Sequence, residues 1–186
     1  TSTIEHSAVL ETFKFLEKEG FEATYLPVDE KGLINPDDLR KAIRPDTTLV
    51  SIMYANNEIG TIQPIKELAA IAREKGVLFH TDAVQAMGNI EVNVKELGVD
   101  MLSMSAHKFY GPKGIGVLYM RKGIRVGNFM HGGAQERNKR AGTENVAGAV
   151  GIATALKLAY DNIGSYNEHL KKLSDRYINK VLERIP

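Results

Sequence analysis

The sequence has 186 residues and a formal net charge of +1, with 24 basic against 23 acidic residues, which excludes the charge excess of a nucleic-acid or membrane-surface protein. Its 43% hydrophobic and 25% charged residues are typical of a globular chain with a sizeable core rather than a disordered one. The complete lack of cysteine excludes a disulfide framework, a thiolate metal site and a cysteine nucleophile within these residues.

Strand and helix patterns alternate along the chain. An amphipathic helix is predicted over residues 7–19, where Gly20 ends the pattern. Asn35 and Pro36 mark a second helix start, because asparagine is a good cap and proline fits the first helical position. Further helices are predicted over residues 64–75, 144–162 and 166–183, and strands over residues 21–28, 48–54, 77–81, 101–105 and 115–120.

This alternation predicts an α/β fold, with a three-layer, mostly parallel sheet flanked by helices. No internal repeat or low-complexity segment interrupts the pattern. In the last predicted helix, Leu170, Leu173, Tyr177 and Val181 are expected to face inward. Ligands of such sheets bind beyond the carboxyl ends of the strands, so the strand ends are where a site is expected.

Polar residues cluster at the predicted strand ends. The clusters occupy residues 55–60, 82–85 and 105–108, and His6 stands where an upstream strand would end. Each has an ordinary explanation, since an isolated lysine is usually solvated, an aspartate after a strand usually caps a helix, and Asn-Asn with glycine usually forms a turn. Because all of them fall at one edge of one predicted sheet, we expect a functional site at this edge.

Other kinds of site fit the sequence poorly. The glycine-rich stretch 111–116 lacks the residue order of a P-loop, and no Gly-x-Gly-x-x-Gly follows a strand. His80 and Asp82 could be two metal ligands, but no third ligand lies nearby in the sequence. His131 and His169 are scattered and show no metal-ligand spacing. We therefore expect no metal site.

Seven motifs give the chain a more specific resemblance. They occupy residues 5–9, 56–60, 80–85, 105–114, 131–133, 135–137 and 140–145. In these motifs the chain resembles the cysteine desulfurases, which are fold-type I pyridoxal-phosphate (PLP) enzymes. The resemblance implies a central piece of such an enzyme, with residues 1–162 as part of the PLP-binding large domain. Residues 163–186 would form a helix that leads towards a small C-terminal domain, absent from this sequence.

The resemblance also implies roles for individual residues. Lys108 would bind PLP covalently and then act as the proton-transfer base, a role that suits a lysine amine. Asp82 would hold the proton on the ring nitrogen, so that the ring can accept electrons. Gln85 would bind the ring hydroxyl oxygen, and His6 would stack on the ring face and assist proton transfer.

Four further residues complete the implied set. Asn57 would reach the ring hydroxyl or the substrate carboxylate. Ser105 and His107 would bind the phosphate together with the backbone of their loop. Thr143 matches a position that, in the family, reaches the phosphate of the neighbouring subunit's cofactor, so a homodimer with composite sites is implied.

The implied reaction is removal of sulfur from L-cysteine, giving L-alanine and an enzyme persulfide, with a sulfur-acceptor or scaffold protein of iron–sulfur cluster assembly as partner. The acceptor cysteine of the family is missing here, so we expect this chain alone to be inactive. Two alternatives stay open: another PLP-dependent lyase or aminotransferase of the same superfamily, and a non-catalytic fragment. Selenocysteine as a second substrate also stays open.

The ends of the sequence and its apolar runs bear on the location of the protein. Residues 1–6 show neither the basic start nor the apolar stretch of a signal peptide, and apolar runs such as residues 146–155 are too glycine-rich to span a bilayer. We therefore expect no membrane segment and a cytoplasmic location. The chain lacks an initiator methionine and stops in a helical pattern, as expected for a piece of a longer protein.

Overall fold

A computed structural model describes residues 1–185 of the chain. The elements are α1 (Ser7–Lys18), α2 (Pro36–Ala42), β1 (Leu49–Ser51), α3 (Ile65–Glu74), β2 (Leu78–Asp82), α4 (Val94–Leu97), β3 (Met101–Ser105), a 3₁₀ turn (Ala106–Phe109), β4 (Gly116–Met120), α5 (Gln135–Asn138) and α6 (Val146–Arg184). The 3₁₀ turn is called the lysine turn below, because it contains Lys108.

The four strands form one mixed sheet in the order β1-β2-β3-β4. The first three strands are parallel, and β4 runs antiparallel to β3. Because β1, β2 and β3 are parallel, their carboxyl ends meet at one edge of the sheet, and the lysine turn follows directly from one of these ends. The predicted α/β fold with a mostly parallel sheet flanked by helices is confirmed, with one antiparallel strand.

The core forms between helix α3 and the sheet. Helix α3 presents five buried residues at helical spacing: Ile65, Leu68, Ala69, Ile71 and Ala72. On β2, Phe79 and Thr81 are buried, whereas the alternate residues of this strand are half-buried on the other face. Each large apolar side chain removed from water contributes about 1.5–3 kcal/mol, so this layer fixes the strands whose ends carry the polar clusters.

The predicted strand over residues 21–28 is wrong. Only Leu26 pairs there, in an isolated parallel bridge with Ser2. Leu26 N–H donates to the Thr1 carbonyl at 2.8 Å, and Thr3 N–H donates to the Leu26 carbonyl at 3.0 Å. A strand needs a partner of similar length, and in the described residues the only extended backbone that bonds to this segment is that of residues 1–3. The β-forming residues therefore stay mostly unpaired.

The predicted break between two C-terminal helices is also wrong, because α6 continues through it for 39 residues. Gly164 costs only about 1 kcal/mol relative to alanine in a helix interior, which is too little to end a helix with good helix formers on both sides. Three of the side chains predicted to face inward, Leu170, Leu173 and Tyr177, are 42%, 49% and 72% exposed.

In the described part of the chain, no helix is long and apolar enough to cross a membrane. Helix α6 is long, but charged side chains recur in it from Lys157 onward.

Candidate active site

Lys108 lies in the lysine turn, three residues beyond the end of β3. The turn is anchored by Ala106 and Phe109, which are 0% and 3% exposed, whereas Lys108 itself is exposed. Tyr110 ends the turn with a left-handed backbone, at φ 64°. Buried neighbours on both sides therefore hold the backbone of this lysine in place while its amine remains accessible.

Asp82 ends β2, next to the strand that leads to Lys108. It lies opposite Ser103 in the parallel pairing of β2 with β3, so Ser105 is two positions further along. From strand spacing and rise, the Cα atoms of Asp82 and Ser105 are about 8 Å apart. One carboxylate oxygen of Asp82 accepts the Val84 N–H at 2.9 Å, which leaves the other oxygen for a ligand. Gln85 follows in the same turn and is half-buried.

Ser105 and His107 are joined by a hydrogen bond of 2.8 Å between Oγ and Nδ1. Ser105 is half-buried at the end of β3, and His107 is exposed on the lysine turn. A hydroxyl and an imidazole linked in this way, beside the backbone of a turn, form a small group of donors suited to an anion. The structure therefore brings Asp82, Ser105, His107 and Lys108 to two adjacent strand ends.

His6 and Asn57 reach this edge from two other segments. His6 caps helix α1, and its Nδ1 accepts the Ala8 N–H at 3.1 Å, so the Nε2 side of the ring faces outward from the cap. Asn57 is exposed in the loop that follows the extension of β1. This extension remains beside β2, because Tyr54 N–H donates to the Asp82 carbonyl at 2.8 Å.

Thr143 lies apart from these strand ends in sequence, in the segment between α5 and α6. It is exposed, and its neighbour Gly142 is tied to Gln135 by an N–H···Oε1 bond of 3.1 Å. The same region contains three consecutive residues with a left-handed backbone: Glu136, Arg137 and Asn138. Such conformations are unfavourable for residues other than glycine and recur at functional segments.

A row of polar side chains that the sequence did not reveal crosses the sheet below Asp82. His80 binds Ser51 Oγ through Nδ1 and Ser103 Oγ through Nε2, each at 2.8 Å, and so connects β1, β2 and β3. Burial lowers the pKa of His80, and the charge of Asp82 partly opposes this effect. The sequence alone suggested only a metal-ligand role for His80. Its partners Ser51 and Ser103 lie on neighbouring strands, and spacing in the sequence does not identify them.

Glu5 is a second residue that sequence reasoning missed. It is only 5% exposed, and its carboxylate accepts hydrogen bonds from Ser2 Oγ at 2.6 Å and from Met53 N–H at 2.9 Å. Burial raises the pKa of Glu5, and the nearby charge of Asp82 acts in the same direction. Glutamates are rarely buried, so a single sequence contains no signal for this one.

The candidate site is an open edge rather than a closed pocket. A cleft of about 860 Å³ lies elsewhere, between the segment around Pro27–Pro36 and the start of α3 near Gln63. None of the strand-end residues lines this cleft, whose charged side chains are the carboxylates Asp29, Asp38 and Glu67. The chemistry therefore favours the strand-end edge over the cleft as the functional site.

The fold and the edge together define a class of protein. A mixed sheet with a carboxylate and a lysine at neighbouring strand ends is the large-domain arrangement of fold-type I PLP-dependent enzymes, here in part. The family model for aminotransferase class-V matches residues 1–186, and the chain belongs to this family.

Relatives and solved structures agree with this membership. The chain is 61% identical over 185 residues to cysteine desulfurase IscS of Dictyoglomus turgidum, covering 100% of this chain and 47% of that protein. It is 58% identical over 183 residues to cysteine desulfurase IscS of Methanosarcina thermophila, covering 98% and 45%. The chain thus spans about half the length of the curated relatives it matches.

Two solved structures show the same fold. A NifS-like protein superposes with a TM-score of 0.95 at 45% identity, covering 98% of this chain and 50% of that one. The structure of SspA in complex with cysteine gives a TM-score of 0.82 at 44% identity, covering 84% and 46%. The predicted resemblance to the cysteine desulfurases is therefore confirmed, and PLP is the cofactor of this family.

Proposed function

We propose that the chain is the part of a cysteine desulfurase that holds PLP, and that the whole protein removes sulfur from L-cysteine to give L-alanine and an enzyme persulfide. The observation that supports this most directly is the meeting of Asp82, the Ser105–His107 pair and Lys108 at two adjacent parallel strand ends. The solved structure of SspA in complex with cysteine supports cysteine as the substrate.

The residues present fit PLP by their chemistry. Asp82 has one carboxylate oxygen left over from its bond to Val84, and this oxygen would accept the N–H of the ring. The hydroxyl of Ser105, the His107 ring and nearby backbone N–H groups would hold the phosphate. Gln85 and Asn57 would bind the ring hydroxyl, and Asn57 could also reach the substrate carboxylate.

When bound, PLP supplies an electron sink for the pair released at the substrate α-carbon. The protein's part is to bind, orient and move protons. Lys108 would anchor the cofactor and then carry the proton to and from the α-carbon, which its exposed amine on a fixed turn permits. Asp82 would keep the ring nitrogen protonated, and the outward side of His6 would lie against the ring face.

The sulfur acceptor must come from outside these residues, because the chain contains no cysteine. We further propose a homodimer in which Thr143 reaches the partner's cofactor phosphate, a cytoplasmic location, and delivery of sulfur to an acceptor or scaffold protein of iron–sulfur assembly. The exposure of Thr143 and the IscS names of the relatives support these proposals. We also propose residues 1–162 as the large-domain part, with the rest of helix α6 leading to a small domain.

The first test is covalent labelling. PLP is added to the purified chain, the visible absorbance is recorded, and the sample is reduced with borohydride and mapped by peptide mass. We expect the label on Lys108 and its loss in Lys108→Ala, whereas Lys113→Ala is labelled like the parent chain. Lys113 is a matched control because it is an exposed lysine in the same loop, five residues further on.

A chimera provides the same test if the chain alone does not bind PLP. Residues 1–186 replace the matching half of the Dictyoglomus turgidum relative, which is 61% identical over this region. The chimera is assayed for alanine formation from L-cysteine after labelling as above. A label on Lys113, or none in a folded chimera, would contradict the proposed site. A label on Lys108 without alanine formation would instead indicate another activity of the superfamily.

A further inference from the structure

Glu5 lies where two segments of the candidate site are joined. One segment, residues 1–6, ends in His6, and the other, residues 52–57, ends in Asn57. Both His6 and Asn57 are exposed, and neither is held by a regular strand pairing. Something other than the sheet must therefore set where these two side chains stand relative to Asp82.

The Glu5 carboxylate takes the place of a missing strand partner. Ile52 and Tyr54 donate their N–H groups to carbonyls of β2, at 3.1 and 2.8 Å. Because donors alternate along an extended segment, the Met53 N–H faces the opposite edge. There both carboxylate oxygens of Glu5 accept it at 2.9 Å, at a position where Met53 is only 2% exposed.

Two further hydrogen bonds strengthen the same junction. Ser2 Oγ donates to the Glu5 carboxylate at 2.6 Å, and Asn56 Nδ2 donates to the Ile4 carbonyl at 2.9 Å. The other side of the Asn56 amide is also used, since its Oδ1 accepts the Glu58 N–H at 2.8 Å. Glu5, directly before His6, is thus bonded to Met53. Asn56, directly before Asn57, is bonded to Ile4.

We propose that Glu5 is a positioning residue, which fixes His6 and Asn57 at the carboxyl edge of the sheet through its hydrogen bond to Met53. The inference rests on the proposed function, because it assigns Glu5 to the PLP site. The acceptor oxygens of Glu5 carry this role rather than its charge. Glu5→Gln retains an acceptor for Met53 N–H and a partner for Ser2, whereas Glu5→Ala leaves a buried N–H without a partner.

The test uses the full-length chimera described above, loaded with PLP. The measurements are the PLP dissociation constant, kcat and KM for L-cysteine, and the thermal midpoint. We expect Glu5→Ala to weaken PLP binding and lower kcat/KM by about 10- to 100-fold, since displacements near 1 Å have effects of this size. Glu5→Gln should stay within about threefold of the parent, because its hydrogen bonds are retained.

Glu58→Ala is the matched control, because it removes an exposed glutamate from the loop that contains Asn57. It should leave PLP affinity and kcat unchanged. A purely structural role for Glu5 would lower the thermal midpoint without changing PLP affinity at low temperature. If Glu5→Ala does not fold, Asn56→Ala breaks the second bond of the junction and should weaken PLP binding in the same way.

The outcomes separate the two proposals. Lys108 labelling in the parent chimera tests the proposed function independently of any Glu5 variant. With labelling intact, equal losses in Glu5→Gln and Glu5→Ala would overturn the inference, because the charge would then be what matters. Unchanged PLP affinity in Glu5→Ala or, where that variant does not fold, in Asn56→Ala would also overturn it.

Discussion

The contact between Gly151 of helix α6 and Pro112 of the loop after Lys108 allows a sharp mutational test. A Cβ atom added at Gly151 would lie 2.5 Å from Pro112 Cγ and 3.1 Å from its Cδ. Carbon atoms prefer separations of about 3.5–4.0 Å, so the loop and the helix must move apart by about 1 Å. Pro112 is four residues beyond Lys108, so this contact packs the loop after the lysine turn against helix α6.

Two opposing contributions determine the effect of Gly151→Ala on stability. Replacing glycine by alanine inside a helix stabilises the folded state by about 1 kcal/mol. Overpacking against a rigid ring costs about 1–3 kcal/mol. Gly164 of the same helix is the matched control, because a Cβ added there meets nothing within 4 Å. We expect Gly164→Ala to stabilise by about 1 kcal/mol and Gly151→Ala to be less stable than it by about 2 kcal/mol.

Urea unfolding followed by circular dichroism measures these free energies. Pro112→Ala removes the two ring carbons that collide with the new methyl group, so the double variant should regain about 1–2 kcal/mol relative to the sum of the single changes. The single Pro112→Ala variant accounts for the effect of losing proline on the unfolded chain. Equal stabilities of Gly151→Ala and Gly164→Ala, or strict additivity with Pro112→Ala, would refute the contact.

Two further predictions concern His80 and Asp82 of β2. Because burial lowers the pKa of His80 below 6.5, the folded state binds fewer protons than the unfolded state as the pH falls through this range. The unfolding free energy should therefore fall between about pH 7.5 and about pH 5.5, by at most about 1.4 kcal/mol per pH unit for this group. His80→Gln should show a shallower fall in urea titrations, and an identical pH dependence would contradict the assignment. In the chimera, Asp82→Asn should keep labelling at Lys108 but lower alanine formation by at least about 10²-fold, and normal turnover would refute the role of Asp82.

Elements with strong local signals were predictable from the sequence. Asn35 was expected to cap a helix, and its side chain accepts the Asp37 N–H at 2.9 Å. The strand over residues 101–105 was predicted with the bounds that the structure shows. Once the parallel sheet was predicted, the convergence of residues 82 and 105–108 at one edge followed from topology alone. These features depend on periodicity, caps and strand order, all of which a single sequence contains.

The features that sequence reasoning missed depend on partners distant in the chain. Glu5 binds Met53, 48 residues away, and His80 binds Ser51 and Ser103, which are 29 and 23 residues away. A buried polar group is favourable only when its hydrogen bonds are satisfied, and those partners are known only after the strands are placed in register. Position in the sequence cannot distinguish such a residue from a solvated one.

Helix α6 illustrates the same limit at the level of a whole element. The first half of α6 packs against the rest of the chain. Among the described residues, the last hydrogen bond from α6 to the rest of the chain runs from Asn167 Nδ2 to the Asn89 carbonyl, at 2.8 Å. Beyond Asn167 the helix is almost entirely exposed, and only interactions within the helix stabilise it, such as the Lys171–Asp175 ion pair. Such pairs contribute only about 0.2–0.5 kcal/mol each, so helix propensity supplies most of the stability there. The hydrogen bond of Asn167 lies five residues past the proposed large-domain boundary at residue 162. Contacts with the rest of the chain, rather than a break in the helix, therefore limit the part of α6 that packs with this domain.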